Sequence, residues 1–394
     1  MTPPIDLEQA QARLLAMLRS GPAIACPVGE AGGRFLAKPA IARRNNPPKD
    51  LSAMDGYATI GDGPWELVGE ARAGLPFAKA LSTGMAVRIS TGAHMPTCAD
   101  AVLIQENARV EGDTLFAEEA PDPNFIRRAG LDFEANDVLI EPGGPLGAAQ
   151  MALARAGGLA KIVVHEVPQV AVVEVGDELC ADPSICAPTQ IPAVNGAMLA
   201  SMARGAGADV SPHGPVADDA DALVETLWEA RDAALIVISG GASVGPHDLV
   251  KPALEAAGFT IDFWRVAIKP GKPLLVARRG NTVALGLPGN PVSSFVTGFL
   301  FMAPAIRKLA GAAACLPRAV PLPLAAPLPA GGKRREFLRA TWTDAGVIAA
   351  EVQDSSALLP LARADVLIDR PAGADRSDTG AFVPCYLLEN RAYA

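Results

Sequence analysis

Residues 237–248, VISGGASVGPHD, decide the fold of this chain. The apolar, β-branched run 234–238 predicts a buried strand. The glycine-rich loop after it leads to a helix that should begin near Pro246 and run toward Gly258. This arrangement lets backbone N–H groups and the positive helix end approach an anion closely. The loop has neither the ending of a P-loop nor the spacing of the dinucleotide motif, so anion binding and a tight structural turn both stay open.

The sequence around this stretch alternates between strands and helices. Predicted strands cover 170–175, 235–238, 274–277 and 283–287, and predicted helices cover 196–204, 219–230, 249–257 and 292–309. This alternation indicates a mostly parallel sheet with helices on both faces, whose ligand site lies at the carboxyl ends of the strands. The loops expected at that edge are 176–179, the glycine loop with Asp248, 268–273 and 287–291.

The remaining sequence predicts further units. An amphipathic helix over 6–20 and a second helix over 146–157 flank a region of short strands, which indicates an inserted β-rich domain. After the Pro/Ala-rich segment 316–332, which is a linker or an edge strand, short strands predict a small β-barrel or sandwich. The predicted fold class is α/β plus β, multidomain, with an N-terminal helical/linking domain (1–44 and 132–166), an inserted β-rich domain (45–131), an α/β domain (167–312) and a C-terminal β-barrel domain (313–394).

Composition limits the classes of partner. A chain of 394 residues is longer than a single hydrophobic core usually accommodates, so more than one domain is expected. Its formal net charge of -9 argues against nucleic acid or an anionic membrane as the main partner. No apolar run approaches the roughly 18 residues of a membrane span, and the first residues lack a signal-peptide pattern. We therefore expect a cytoplasmic protein, in which an anionic substrate needs a local basic pocket.

Charged residues in the four loops indicate chemistry with a metal and an oxyanion. The carboxylates of Asp177, Glu178 and Asp248 suit a Mg²⁺ site, although a solvated turn with a helix cap explains the first two equally well. Lys269 and Lys272 are held between Pro and Gly residues, which favours oxyanion binding. No pattern for nucleophilic catalysis is present, so the loops indicate positioning and charge neutralisation.

These motifs together resemble the molybdopterin molybdenumtransferase family of the MoeA type, which also includes the E domain of gephyrin. The matching segments are 52–58 (SAMDGYA), 89–93 (ISTGA), 126–128 with Gly130 and Asp132, 176–179 (GDEL), 239–245 with Asp248, 267–273, 287–293 and 335–339 (REFLR). They occur in order from about residue 6 to the C-terminus. The individual motifs are moderately specific, and the ordered set is strongly so.

The resemblance implies an elongated homodimer whose α/β domain is similar to molybdopterin adenylyltransferase. The implied reaction inserts molybdate into adenylylated molybdopterin with Mg²⁺ and releases AMP, and the implied partners are molybdopterin adenylyltransferase and molybdoenzyme maturation factors. By position, the implied catalytic residues are Asp55, Asp132, Glu178 and Asp248, and the metal ligands are Asp177, Glu178 and Asp248. The implied substrate-binding residues are Thr91, Arg127, Gly240, Gly241, Ser243, Gly245, Lys269, Lys272, Pro288, Asn290, Arg339 and Ser355. Six of these should face the cleft from a neighbouring domain or subunit: Asp55, Thr91, Arg127, Asp132, Arg339 and Ser355.

Two loops depart from the family pattern. Glu174 and Val175 stand where Ser or Thr residues usually precede Gly-Asp-Glu, and Ala193 and Val194 replace the Asp-Ser of an Asp-Ser-Asn motif. Glu174 places a negative charge beside an anion site if its side chain points inward. The substitutions at Val175, Ala193 and Val194 motivate an alternative, a divergent paralogue that binds or carries molybdopterin or molybdenum cofactor without turnover. A nucleotide pyrophosphatase is a third hypothesis, and the 52–58 motif argues against it.

Overall fold

The computed structural model describes residues 4–241 and 249–388. Its central α/β unit contains a six-stranded sheet. In spatial order the strands are Asp209–Val216, Gln169–Val175, Leu235–Ser239, Thr282–Leu287, Leu275–Arg279 and Thr260–Trp264. The first four run parallel to one another, whereas Leu275–Arg279 is antiparallel to both of its neighbours. The sheet is therefore mixed.

The prediction of a mostly parallel sheet is confirmed with one exception at this edge, where Leu275–Arg279 is antiparallel to its neighbours. Arg279 pairs with Thr282, so only Gly280 and Asn281 connect the two strands. A two-residue connection allows only an antiparallel hairpin, and the Gly-Asn pair is a signal for one. The strand Thr260–Trp264 had no predicted counterpart. Its carboxyl end leads into the segment 268–273, which places the two lysines at the expected edge of the sheet.

Both faces of the sheet are covered by helices. Alternate residues of each strand enter opposite cores, with Val172 and Val237 in one core and Val173 and Ile238 in the other. The helices are Asn195–Gly205, Ala220–Glu229, Val250–Ala256 and the three consecutive segments Pro291–Thr297, Gly298–Met302 (a π-helix) and Ala303–Leu309. The helix Leu7–Met17 also packs in the first core, although its sequence position groups it with the linking domain.

The apolar helix Pro291–Leu309 is long enough to cross a membrane, whereas no apolar segment of that length was expected from the sequence. In the folded chain 83% of its apolar window is buried. It packs against the sheet and the helix Asn195–Gly205. Its hydrophobicity is therefore that of a core helix.

The linking unit consists of two chain segments that meet. Strands Ala23–Pro27 and Lys161–His165 pair antiparallel, as do Ala40–Ile41 and Val138–Ile140, and the helix Ala148–Ala156 packs beside them. Between these segments the chain forms an inserted unit with its own six-stranded sheet. Its strands, in spatial order, are Ala101–Ile104, Gly56–Thr59, Met85–Ile89, Trp65–Ala71, Thr114–Ala117 and Ala108–Glu111, and Leu51–Ser52 pairs separately with Ile126–Arg127.

The C-terminal unit is a small β-barrel. Its strands, in spatial order, are Arg335–Thr343, Val366–Arg370, Phe382–Leu387 and Ala319–Pro323, with Gly346–Ala349 paired to the first. A bridge between Leu324 and Val347 closes the barrel, and Ala319–Pro323 shows that the Pro/Ala-rich segment begins with a strand. The strand Ile268–Lys269 of the α/β unit pairs with Arg335–Thr343. This pairing brings the barrel to the lysine loop.

Candidate functional site

Two pockets of opposite charge lie side by side at the carboxyl edge of the central sheet. The larger, about 590 Å³, is called here the acidic pocket, and its charged lining residues are Glu174, Glu178 and Asp218. The smaller, about 340 Å³, is called the basic pocket, and its charged lining residues are Lys269, Lys272, Arg334, Glu336 and Asp354. Pro273 lines both pockets. A ligand with an anionic end and a hydrogen-bonding end can span the two.

The glycine loop forms one wall of the acidic pocket. Gly240 has φ +95°, and a Cβ there would lie 2.1 Å from the carbonyl oxygen of Val175, so only glycine fits. Gly240 and Gly241 line the pocket as predicted from the sequence, together with Pro288 and Asn290. The structural expectations for Ser243, Gly245, Pro246 and Asp248 fall outside the described residues.

Glu174 forms the floor of the acidic pocket. It is 5% exposed, and its carboxylate accepts hydrogen bonds from the backbone N–H groups of Asn195 (Oε1, 3.0 Å) and Gly196 (Oε2, 2.7 Å). These groups belong to the first turn of the helix Asn195–Gly205, whose preceding residue, Val194, has no capping side chain. The carboxylate therefore caps this helix from a neighbouring strand.

The basic pocket lies between the α/β unit and the barrel. Lys269 Nζ forms an ion pair with Glu336 at 2.9 Å, and Arg334 Nη1 donates to the carbonyl oxygen of Ile268 at 3.2 Å. Lys272 and Ser355 line the same pocket. The three cations and two carboxylates of its lining leave a net positive charge within a protein that is acidic overall.

One contact joins the two pockets. Asn290, which lines the acidic pocket, donates from Nδ2 to the hydroxyl of Ser355 in the basic pocket at 2.9 Å. The backbone N–H of Val292 donates to the carbonyl oxygen of Ser355 at 3.0 Å. The segment after Pro288 thus holds the barrel loop against the start of the helix Pro291–Thr297.

The expectation that Arg339 faces the cleft is wrong. Its side chain is only 1% exposed, and Nη1 donates to the carbonyl oxygens of Asp354 (2.9 Å) and Ala357 (3.2 Å) while Nη2 donates to that of Val352 (3.2 Å). Burial lowers the pKa of the guanidinium. Arg339 therefore holds the loop that carries Ser355, and no sequence pattern indicates that backbone carbonyl groups accept from its donors.

The predicted metal ligands do not gather within the described residues. Asp177 lines neither pocket, and its Oδ1 accepts from the backbone N–H of Asp218 at 3.0 Å. Glu178 lies at the exposed rim of the acidic pocket. Residues 4–241 and 249–388 contain no group of three or more His, Cys, Asp or Glu side chains arranged for a metal ion, and Asp248 lies outside these ranges.

Sequence-predicted residues of the inserted unit form a second, separate surface. The carboxylate of Asp55 accepts from the backbone N–H of Thr91 at 2.6 Å, and Arg127 pairs with Leu51 in the short sheet beside them. Asp132, farther along the chain, accepts from Asn46 Nδ2 at 3.0 Å. The side chains of Asp55, Thr91, Arg127 and Asp132 are exposed and line neither pocket of their own chain.

Sequence reasoning did not assign Arg334 or Asn195 to the cleft, and it named Glu174 only as a departure from the family pattern. Arg334 lies directly before the REFLR motif and has no distinguishing pattern. Asn195 was noted only as the remaining part of a family motif. A charged residue inside the apolar run QVAVVEV was a usable signal for Glu174, because a buried carboxylate requires partners.

Comparisons with known proteins agree with this arrangement. Three family models match the chain in order: the MoeA N-terminal region (domain I and II) over 5–158, a probable molybdopterin binding domain over 171–308, and the MoeA C-terminal region (domain IV) over 321–388. Two structures of the molybdopterin biosynthesis MoeA protein of Pyrococcus horikoshii superimpose with TM-scores of 0.85 (24% identity, 98% of this chain and 100% of that chain) and 0.80 (27% identity, 98% and 99%).

Curated relatives carry the same family name. The chain is 37% identical over 298 residues to the molybdopterin molybdenumtransferase of Nostoc sp., covering 72% of this chain and 68% of the relative. It is 36% identical over 290 residues to the molybdopterin molybdenumtransferase of Haemophilus influenzae, covering 72% of each. The chain therefore belongs to the molybdopterin molybdenumtransferase family.

Proposed function

We propose that this protein acts in molybdenum cofactor biosynthesis and inserts molybdate into adenylylated molybdopterin with release of AMP. The observation that carries the proposal is the basic pocket, which adjoins the glycine-loop pocket at the edge of the central sheet. The names of the relatives support the same transferase activity. The carrier alternative is not favoured, because the curated relatives that match the chain are named as the transferase.

The basic pocket suits a tetrahedral oxyanion. Molybdate is a dianion, and Lys269, Lys272 and Arg334 are cations that line one small cavity. Ser355 adds a hydroxyl that can donate to an oxyanion. Positioning and charge neutralisation are the means by which such a site brings two anionic reactants together.

Magnesium is part of the proposal. Carboxylate oxygens are the ligands that Mg²⁺ prefers, and it retains several waters and substrate oxygens, so few protein ligands suffice. Glu178 at the rim of the acidic pocket and Asp248 of the glycine loop fit this donor chemistry. Asp177 would have to release the N–H of Asp218 to join them. A bound Mg²⁺ would neutralise charge on the phosphate oxygens of the substrate.

We infer that a second copy of the chain completes the site. The exposed cluster with Asp55, Thr91 and Arg127 lines neither the acidic nor the basic pocket of its own chain, yet combines a carboxylate, a hydroxyl and a guanidinium on one surface. A homodimer that sets this surface against the cleft of its partner would give these residues a ligand to bind. Molybdopterin adenylyltransferase, as the source of the adenylylated substrate, and molybdoenzyme maturation factors are the further proposed partners, in the cytoplasm.

The test of the site assignment is AMP formation from adenylylated molybdopterin by Lys272→Ala. We expect at least a tenfold loss at low molybdate, since a charge-assisted contact to an oxyanion contributes about 1.5–3 kcal/mol. Lys161→Ala is the control, because Lys161 is an exposed lysine on the strand Lys161–His165 of the linking unit. Equal rates for both variants would remove the basic pocket from the mechanism.

A further inference from the structure

One wall of the acidic pocket is a loop held between two short strands. The strands Leu179–Cys180 and Ile191–Pro192 pair in parallel, and residues of both line the pocket. The residues between them, 181–190, are called here the wall loop. Because both ends of the wall loop continue into the pocket lining, a covalent change within the loop acts on the pocket.

The local sequence folds the wall loop back on itself. Asp182 caps the short 3-10 turn Pro183–Ile185, and its Oδ1 accepts from the backbone N–H of Ser184 at 2.9 Å and from the hydroxyl of Ser184 at 2.6 Å. Pro183 opens the turn with a backbone angle that suits it. The turn reverses the chain and returns Cys186 toward Cys180.

The thiols of Cys180 and Cys186 converge on one backbone atom. Sγ of Cys180 donates to the carbonyl oxygen of Asp182 at 3.1 Å, and Sγ of Cys186 donates to the same oxygen at 3.8 Å. Desolvation raises the pKa of the Cys186 thiol, and so does the neighbouring Cys180 thiol. Both side chains are partly exposed, whereas three other cysteines are buried: Cys26, Cys315 and Cys385.

We propose that Cys180 and Cys186 are a redox-sensitive pair, which a small-molecule disulfide such as oxidised glutathione converts into a reversible disulfide within the wall of the acidic pocket. The bond requires the two sulfur atoms to approach to about 2 Å. Two thiols that already share one acceptor reach this separation by a local movement. The bond then ties the turn Pro183–Ile185 to the strand Leu179–Cys180 and restrains the wall loop.

The exchange balances without a further reactant. One cysteine thiolate attacks oxidised glutathione and releases the first glutathione thiolate, and the other cysteine attacks the mixed disulfide and releases the second. Two electrons pass from the protein thiols to the glutathione disulfide, and the two protons end on the two glutathione thiols. In the reducing cytoplasm proposed for this chain, a disulfide of this kind is transient and responds to the redox state.

Thiol mapping by mass spectrometry tests the pairing. The reduced protein is incubated with oxidised glutathione and a metal chelator, and the free thiols are then blocked with N-ethylmaleimide before digestion. We expect a disulfide between Cys180 and Cys186 that carries no glutathione, and dithiothreitol should reverse it. Cys98, an exposed thiol of the inserted unit, is the internal control and should carry glutathione.

Serine variants are the matched controls, because a hydroxyl still donates to the carbonyl oxygen of Asp182 and preserves the turn. In Cys186→Ser, Cys180 should carry glutathione, and in Cys180→Ser, Cys186 should carry it, since neither variant has the second thiol that completes the exchange. Glutathione on Cys180 or Cys186 of the wild-type protein in place of their disulfide would overturn the proposal. So would a pair that stays reduced while Cys98 reacts.

Hydrogen exchange measures the restraint of the wall loop. The amides of residues 181–190 should exchange about threefold more slowly in the oxidised protein than in the reduced protein, and the Cys186→Ser variant should show no such change after the same treatment. Unchanged exchange in the oxidised wild-type protein would also overturn the proposal. Neither measurement requires turnover, so both are independent of the test of the proposed function.

Discussion

Arg339 Nη1 donates to the carbonyl oxygen of Asp354 at 2.9 Å from a position that is almost wholly buried. The carboxylate of Asp354 in turn accepts from the backbone N–H of Ser356 at 2.8 Å and from its hydroxyl at 2.6 Å. These bonds from Ser356 hold the pKa of the Asp354 carboxyl group below its usual value. An arginine inside the barrel thus fixes a loop that reaches the cleft, with Ser355 at its tip.

Arg339→Met should destabilise the barrel. It removes the buried guanidinium that donates to the carbonyl oxygens of Val352, Asp354 and Ala357, which should lower the free energy of unfolding by about 3 kcal/mol. Urea denaturation measures this change. Arg363→Ala, an exposed arginine of the same unit, is the control and should stay within about 0.5 kcal/mol of the wild-type protein. Similar stabilities for the two variants would refute the role of Arg339 as an anchor.

Gly240→Ala should distort the glycine loop. The new Cβ would lie 2.1 Å from the carbonyl oxygen of Val175, and the residue has φ +95°, so we expect a loss of about 3 kcal/mol of stability. Gly289→Ala is a control in the same pocket, because within the described part of the chain its Cβ would meet only Gly240 Cα at 3.5 Å, an ordinary contact. Thermal unfolding of both variants checks the difference. The steric account fails if Gly289→Ala proves the more damaging.

Mixed subunits test whether two copies share one site. Lys272→Ala and Arg127→Ala should each be inactive alone, yet a heterodimer of the two retains one intact site made of the cleft of one copy and the inserted unit of the other. Random mixing should therefore restore about a quarter of wild-type AMP formation. Thr91→Ala mixed with Arg127→Ala is the control without recovery, since both changes affect the same surface. Absence of recovery in the first mixture would place both residues in one chain's site.

The cysteines should differ in reactivity. Burial raises the pKa of the Cys385 thiol to about 11, so this thiol stays protonated and shielded at pH 8, whereas Cys98 is exposed. Mass spectrometry after brief treatment with iodoacetamide should find Cys98 alkylated and Cys385 intact, with Cys385 reacting only in denaturant. Equal labelling of the two in the native protein would contradict the packing of the strand Phe382–Leu387.

Sequence patterns predicted those features that depend on local residue order. The β-branched run before Gly240 forms a central strand, and the amphipathic pattern over 6–20 forms the helix Leu7–Met17, in which Asp6 accepts from the N–H of Gln9 at 2.7 Å. The antiparallel hairpin at Gly280 was missed, because the alternation of strands and helices was given more weight than a two-residue turn signal. Tertiary contacts decided the rest, since no local pattern shows that backbone carbonyl groups use up the donors of Arg339.

Family resemblance and structure contributed different parts of the site. The resemblance singled out Asp55 and Arg127, which composition alone does not distinguish. The experiment with mixed subunits tests whether their surface completes the site of a second copy. Neither the resemblance nor the local sequence pattern predicted that Glu174 caps a helix, because the helix Asn195–Gly205 begins about twenty residues later in the chain. Periodicity and motif spacing do not predict contacts between residues that are this far apart in the chain.

The proposed insertion of molybdate is tested by AMP release from adenylylated molybdopterin. The purified protein is assayed with and without molybdate and with and without Mg²⁺. The account predicts release that requires both. Asp248→Asn, which removes a proposed metal ligand, should abolish the Mg²⁺-dependent part. Tight binding of the adenylylated substrate without any molybdate-dependent release would contradict the account and identify the protein as a carrier.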